Sequence, residues 1–165
     1  AYAALASAPH PGALIGQVHA RLADTVAGQA RDLSEAHDCR DLNTWEAIAA
    51  GKSAPFFALA LELPLLAAGE AAALTPAGRA ARHFALAYQI RDDLEDAARD
   101  ARCGRLNAAG VLARAGEPDP RAVLASRIGS HLGAARRYAA RLPRGAGEAL
   151  LPVIDAFAAG ALEPA

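Results

Sequence analysis

Methionine is absent, lysine occurs once, cysteine twice and aromatic residues eight times in 165 positions. Each scarcity closes off a class of protein. Cys39 and Cys103 lie far apart, with no CxxC pair or histidine-rich neighbour, so neither a disulfide framework nor a zinc site is expected and a reducing cytoplasm fits. Alternating runs of Val, Ile and Thr are nearly missing, which excludes a β-sandwich. Neither charge predominates: 17 Lys+Arg face 18 Asp+Glu, and the arginines are scattered among acids, so nucleic acid is not an expected partner. The most apolar stretch, residues 54–68, contains Pro55, Glu62 and Pro64 and falls short of the roughly 20 residues that span a bilayer, so no transmembrane segment is expected. Without methionine or a charged-then-apolar leader, the chain is expected to begin inside a longer encoded protein.

What is abundant is alanine, with 47 residues. Alanine has the highest helix propensity, and the composition predicts an all-α fold, a helical bundle in one domain over residues 1–165. Apolar residues at helical spacing (Leu14, Val18, Leu22, Val26, Leu33) predict one amphipathic helix from Pro11 to about Ala36. A polar break over residues 37–44 follows, and Asn43 with Glu46 three residues later reads as a variant capping box opening a short helix that Gly51 interrupts. Residues 53–68, apolar on nearly every side, predict a helix buried at the centre of the bundle. Thr75-Pro76 predicts a helix start running toward Asp100, Asp119-Pro120 another reaching about Arg141, and residues 147–159 a last one restarted at Pro152.

Chemistry concentrates in Tyr88-Gln89-Ile90-Arg91-Asp92-Asp93-Leu94-Glu95-Asp96. On a helix Asp92 and Asp96 share a face, and Gln89 lies one turn earlier on the side of Asp93. Glu95 has Arg91 and Arg99 at its i±4 positions, an ordinary salt-bridged surface. Asp92 and Asp93 have no cation at a helical neighbour position, and Asp96 reaches only Arg99. Unneutralised carboxylates one turn apart call for an external cation, and hard oxygen ligands suit Mg²⁺. The same acids also describe a solvated helix end, but the apolar run 84–88 and Gln89 set them at a core boundary. Arginine outnumbers lysine sixteen to one, so the surviving Lys52 points to a site that needs a compact ammonium.

Tyr-Gln-Ile-x-Asp-Asp-x-x-Asp resembles the second aspartate-rich motif of the trans-isoprenyl diphosphate synthases, the polyprenyl synthetases. Gly28-Gln29-x-x-Asp32-Leu33 resembles their Gly-Gln-x-x-Asp-Leu segment, and Lys52-Ser53-Ala54 their Lys-Thr-Gly/Ala segment, in the family's order. The resemblance covers about residues 22–112. It implies a bundle of the isoprenoid synthase type, with the C-terminal half present. It also implies a prenyltransferase that condenses an allylic diphosphate with isopentenyl diphosphate through Mg²⁺-assisted ionisation, as a homodimer. On that reading Asp92, Asp93 and Asp96 hold Mg²⁺. Lys52 touches the diphosphate, Gln29 and Asp32 bind substrate or form a merely polar helix face, and Arg105 stands in for a diphosphate-binding lysine. Gln89, Ser53 and carbonyls freed at Gly51 face the developing carbocation.

The chain lacks the family's first acidic motif, for which Asp38-x-x-Asp41 is no substitute, so alone it is expected to be inactive. Asp92-x-x-Glu95-Asp96 also resembles the acidic motif of head-to-head squalene and phytoene synthases. A catalytically silent subunit that modulates a prenyltransferase partner is a further alternative.

Overall fold

In a computed structural model describing residues 2–35 and 39–160, the alanine-rich sequence forms seven α-helices and three short 3-10 turns, with no strand among the described residues. The helices are α1 (Tyr2–Ala6), α2 (Pro11–Glu35), α3 (Leu42–Ala67), α4 (Leu74–Cys103), α5 (Ala108–Arg114), α6 (Pro120–Ala139) and α7 (Leu151–Gly160). Helix α2 packs on α3, α3 on α4, and α4 on α6. The expected all-α bundle is present. Ala36, His37 and Asp38, at the expected end of the first long helix and in the break after it, lie outside the described residues.

Helix α3 differs most from expectation. It is capped by Asp41, whose carboxylate accepts from the Thr44 backbone N–H at 2.9 Å and from its hydroxyl at 2.8 Å, and not by Asn43. It then runs unbroken for 26 residues through Gly51, Pro55 and Pro64. By length and composition alone it could cross a membrane, unlike the interrupted segment expected, yet it serves here as the floor between α2 and α4.

Gly51 is a spacer and not a break. A Cβ built on Gly28 would sit 2.1 Å from the Gly51 carbonyl carbon and 2.2 Å from its oxygen, so the two backbones touch. Pro55, four residues on, has no N–H for the Gly51 carbonyl, which is thereby freed from the helix ladder. Its oxygen lies against Gly28 and so faces α2, where the resemblance implied a carbonyl facing the developing carbocation.

Near the far end of this seam Glu62, fully buried, accepts from Arg21 Nε at 2.8 Å, Arg21 Nη2 at 2.5 Å and Gln17 Nε2 at 2.6 Å. Contacts of residue 28 with 51 and 21 with 62 make the two helices antiparallel.

The core joins Trp45, Ile48, Phe84, Leu86 and Ile90 to Leu124, Ile128 and Ile154. A second cluster uses Ala77, Ala80 and Ala81 against Leu61, Leu65 and Leu142, where small side chains let helices approach closely. Helix α4 starts at Leu74, one residue before the expected cap, with Thr75 and Pro76 inside a first turn that needs no proline N–H. It ends at Gly104, whose φ of +63° lets the Arg105 N–H bond back to the Asp100 carbonyl at 3.0 Å. Asp119 caps α6 as expected, though α6 stops two residues short of Arg141, and α7 restarts around Pro152 after a 3-10 turn.

Candidate functional site

Helices α2, α3 and α4 enclose a cavity of about 490 Å³. Eight of the nine residues singled out from the sequence line it: Gln29 and Asp32 from α2, Lys52 from α3, Gln89, Asp92, Asp93 and Asp96 from α4, and Arg105 from the loop beyond. Ser53 does not line it, being rotated about 100° around α3 from Lys52. Lys52 Nζ lies 3.3 Å from Asp32 Oδ2, the same oxygen that accepts from Gln29 Nε2 at 3.2 Å. The polar face of α2 is therefore organised around the lone lysine.

On the opposite wall the acids divide. Asp92 is exposed and has no ion-pair partner among the described residues, whereas Asp96 is paired with Arg99. Glu95 pairs with Arg91 at 3.6 Å and does not line the cavity, as its neighbouring charges predicted. Asp93 is buried, and its Oδ2 accepts from the Ala108 backbone N–H at 2.6 Å at the start of α5. Burial pushes the Asp93 carboxyl up to about 7, with Asp100 and Asp92 adding to the rise while the Ala108 N–H and Lys52 oppose it.

Helix α5 and the roles of Asp100 and Asn107 were not foreseen from the sequence, whereas the pairing of Arg99 with Asp96 was. Asn107 caps α5, accepting from Ala109 and Gly110, and donates to the Asp93 carbonyl at 2.8 Å and to Asp100 Oδ2 at 3.0 Å. An asparagine just before an apolar turn was the available signal.

Five carboxyls (Asp32, Asp92, Asp93, Asp96, Asp100) and three cations (Lys52, Arg99, Arg105) thus share one cavity. Among the described residues no three His, Cys, Asp or Glu side chains converge tightly enough to chelate an ion unaided. Asp92, Asp93 and Asp96 instead present hard oxygens along one helix edge. That donor set fits Mg²⁺, which keeps much of its water and takes one or two carboxylates together with substrate phosphate oxygens.

From this polar end an exposed apolar face leads away along α3 and α2. Phe56, Leu59 and Leu63 follow Lys52 at i+4, i+7 and i+11 on one face of α3, with Phe56 65% exposed and the two leucines half-buried. On α2, Leu33 lines the cavity, and Val26 and Leu22 continue from it on the same face. Because the helices are antiparallel, both rows run in one direction. This corrects two expectations. Leu22, Val26 and Leu33 are exposed and not the buried face of α2, because α2 meets α3 through Gly28, Arg21 and Gln17. Residues 53–68 are likewise not buried on every side.

The sequence matches the family model for polyprenyl synthetase over residues 1–105, well over half of the chain, ending at the cavity-lining Arg105. No curated protein and no solved structure matches it. The chain belongs to the polyprenyl synthetase family.

Proposed function

We propose that this chain supplies the C-terminal half of a prenyltransferase active site, which condenses an allylic diphosphate with isopentenyl diphosphate to a linear isoprenyl diphosphate. The observation that carries the proposal is the bipartite arrangement: carboxylates facing a lone ammonium in one cavity, and exposed apolar rows on α2 and α3 leaving it in one direction. An allylic diphosphate has the same two parts.

Asp92, Asp93 and Asp96 are the residues to hold Mg²⁺, directly or through water, and Lys52, Arg99 and Arg105 those to donate to diphosphate oxygens. Bound Mg²⁺ would spread the negative charge that accumulates on the leaving group as the allylic C–O bond breaks. Gln89, which lines the cavity, is the residue to turn its amide dipole toward the carbocation, and the apolar rows of α2 and α3 are the surface for the hydrocarbon. The double bond of isopentenyl diphosphate then forms the new C–C bond, and a proton leaves to restore an alkene. Neutralising the diphosphate from its other side needs a second acidic motif, so the chain acts with an upstream half.

The homodimer is proposed on family membership alone, and a reducing cytoplasm on the free thiols of Cys39 and Cys103. Glu95 points away from the cavity in its pair with Arg91, which disfavours the head-to-head alternative. The silent-subunit alternative draws on the Arg99–Asp96 pair, which leaves the acidic edge partly neutralised.

The test is steady-state turnover of the assembled enzyme with Asp92→Ala. A fall of roughly a hundredfold or more in kcat/KM is expected if a ligand acting on the ionising transition state is lost. Unchanged turnover would remove the metal role, and no turnover in any assembly would favour the silent subunit.

A further inference from the structure

We propose that Asn107 is a positioning residue for the diphosphate site, through its hold on the loop that carries Arg105. Asn107 lies beyond the segment matched to the family, is 4% exposed, and uses its whole hydrogen-bonding capacity. Its two amide N–H groups donate to the Asp93 carbonyl and the Asp100 carboxylate, and its oxygen accepts from the Ala109 and Gly110 backbone N–H groups.

These bonds tie the start of α5 to the acidic stretch of α4. The residues between, Gly104, Arg105 and Leu106, are folded across the end of the cavity, where all three line it. Arg105 is 65% exposed in its side chain and only 4.0 Å from Asp100, an ion pair too long and too solvated to fix the loop by itself. The buried amide therefore sets where the guanidinium stands. The same brace brings the Ala108 N–H to Asp93 Oδ2, which fixes that carboxylate's rotamer and leaves Oδ1 without a partner among the described residues.

The donor function separates Asn107 from an ordinary helix cap. Aspartate would still cap α5 but could not donate to the Asp93 carbonyl or to Asp100, and would add a charge between two acids. Serine would cap without adding charge but is too short to reach α4.

The inference rests on reading the cavity as a diphosphate site, and calorimetric titration of the chain with Mg²⁺ and inorganic diphosphate separates the two. If the unaltered chain, assembled with its upstream half, binds no magnesium diphosphate, the site reading itself fails. If it binds, Asn107→Asp and Asn107→Ser should each weaken affinity about tenfold or more, as expected for losing hydrogen bonds to charged groups. Arg105→Ala and Asn107→Ser together should cost clearly less than the product of their separate losses, because both changes remove the same placed cation.

Affinity unchanged in Asn107→Ser, or losses that multiply fully, would overturn the positioning role while leaving the site intact. Should either variant fail to fold, amide hydrogen exchange in the unaltered chain decides. Exchange at residues 105–108 should slow when magnesium diphosphate binds, and no change there would overturn the inference.

Discussion

Lys52 shows how far a single residue can be read from composition. In a chain where arginine has taken nearly every cationic position, the one ammonium stands between Asp32 and the buried Asp93, in a cavity floored by α3. A guanidinium is a planar fork with fixed donor directions and does not occupy the same space. Lys52→Arg is expected to weaken magnesium diphosphate binding about tenfold or more while leaving the melting temperature within a few degrees, because the residue is partly exposed and its ion pair with Asp32 is long. Binding equal to the unaltered chain would show that any cation suffices there. Asp93 was less legible. Its spacing from Asp92 and Asp96 said which helix edge it occupies, but its tie to the Ala108 N–H fifteen residues away depends on a chain reversal that no local pattern announces.

At the scale of helices, glycine was the residue most easily misread. Gly51 followed by Lys52 looks like a helix end, yet its meaning depends on a second glycine, Gly28, which only the packing of α2 on α3 brings opposite it. The apolar stripe of α2 was found correctly and its burial was not. Periodicity shows that a face is apolar but not what covers it, and the covered face is the one carrying Gly28, Arg21 and Gln17. Helix starts with a side-chain cap and proline, such as Asp119-Pro120, were legible because their physics is local.

The Gly28–Gly51 contact gives a direct test. Gly28→Ala gains about 1 kcal/mol of helix propensity but drives a methyl into a backbone carbonyl, so a net loss of about 2 kcal/mol in denaturant unfolding is expected. It should also weaken diphosphate binding, since Gln29 and Lys52 are the very next residues. A more stable variant would mean that the helices separate without cost.

Across the whole molecule, three helices are joined by a chain of polar groups away from the cavity. Glu46 on α3 accepts from His131 Nε2 on α6 at 3.3 Å, and His131 Nδ1 lies 3.0 Å from His83 Nδ1 on α4, which stacks on Tyr138. Only one proton fits between the two imidazoles. Burial holds His83 below the ordinary histidine range, with His131, Arg82 and Arg137 lowering it further and Glu46 opposing. A base harder to protonate folded than unfolded contributes stability that is present above about pH 6.5 and lost as pH falls below it. Glu46, held below the usual carboxylate range chiefly by its bond to His131, adds a loss of the same sign at lower pH. Asp93, whose carboxyl is pushed up to about 7, stabilises the fold as pH falls through the same window, so the His83 loss is read by difference: the unfolding free energy of the unaltered chain relative to His83→Gln should drop between pH 7.5 and 5. An unchanged slope in the variant would place the acid sensitivity elsewhere.

Two rods pinned at separated points cannot scissor. The Gly28–Gly51 contact holds α2 to α3 beside Lys52, and the buried Glu62, gripped by Arg21 and Gln17, fastens them again next to Leu63, about 15 Å farther along. Substitution at Glu62 would therefore loosen the distal fastening while leaving the ammonium nearly still, so the spacing of the two helices can be retuned by a residue remote from the reacting groups.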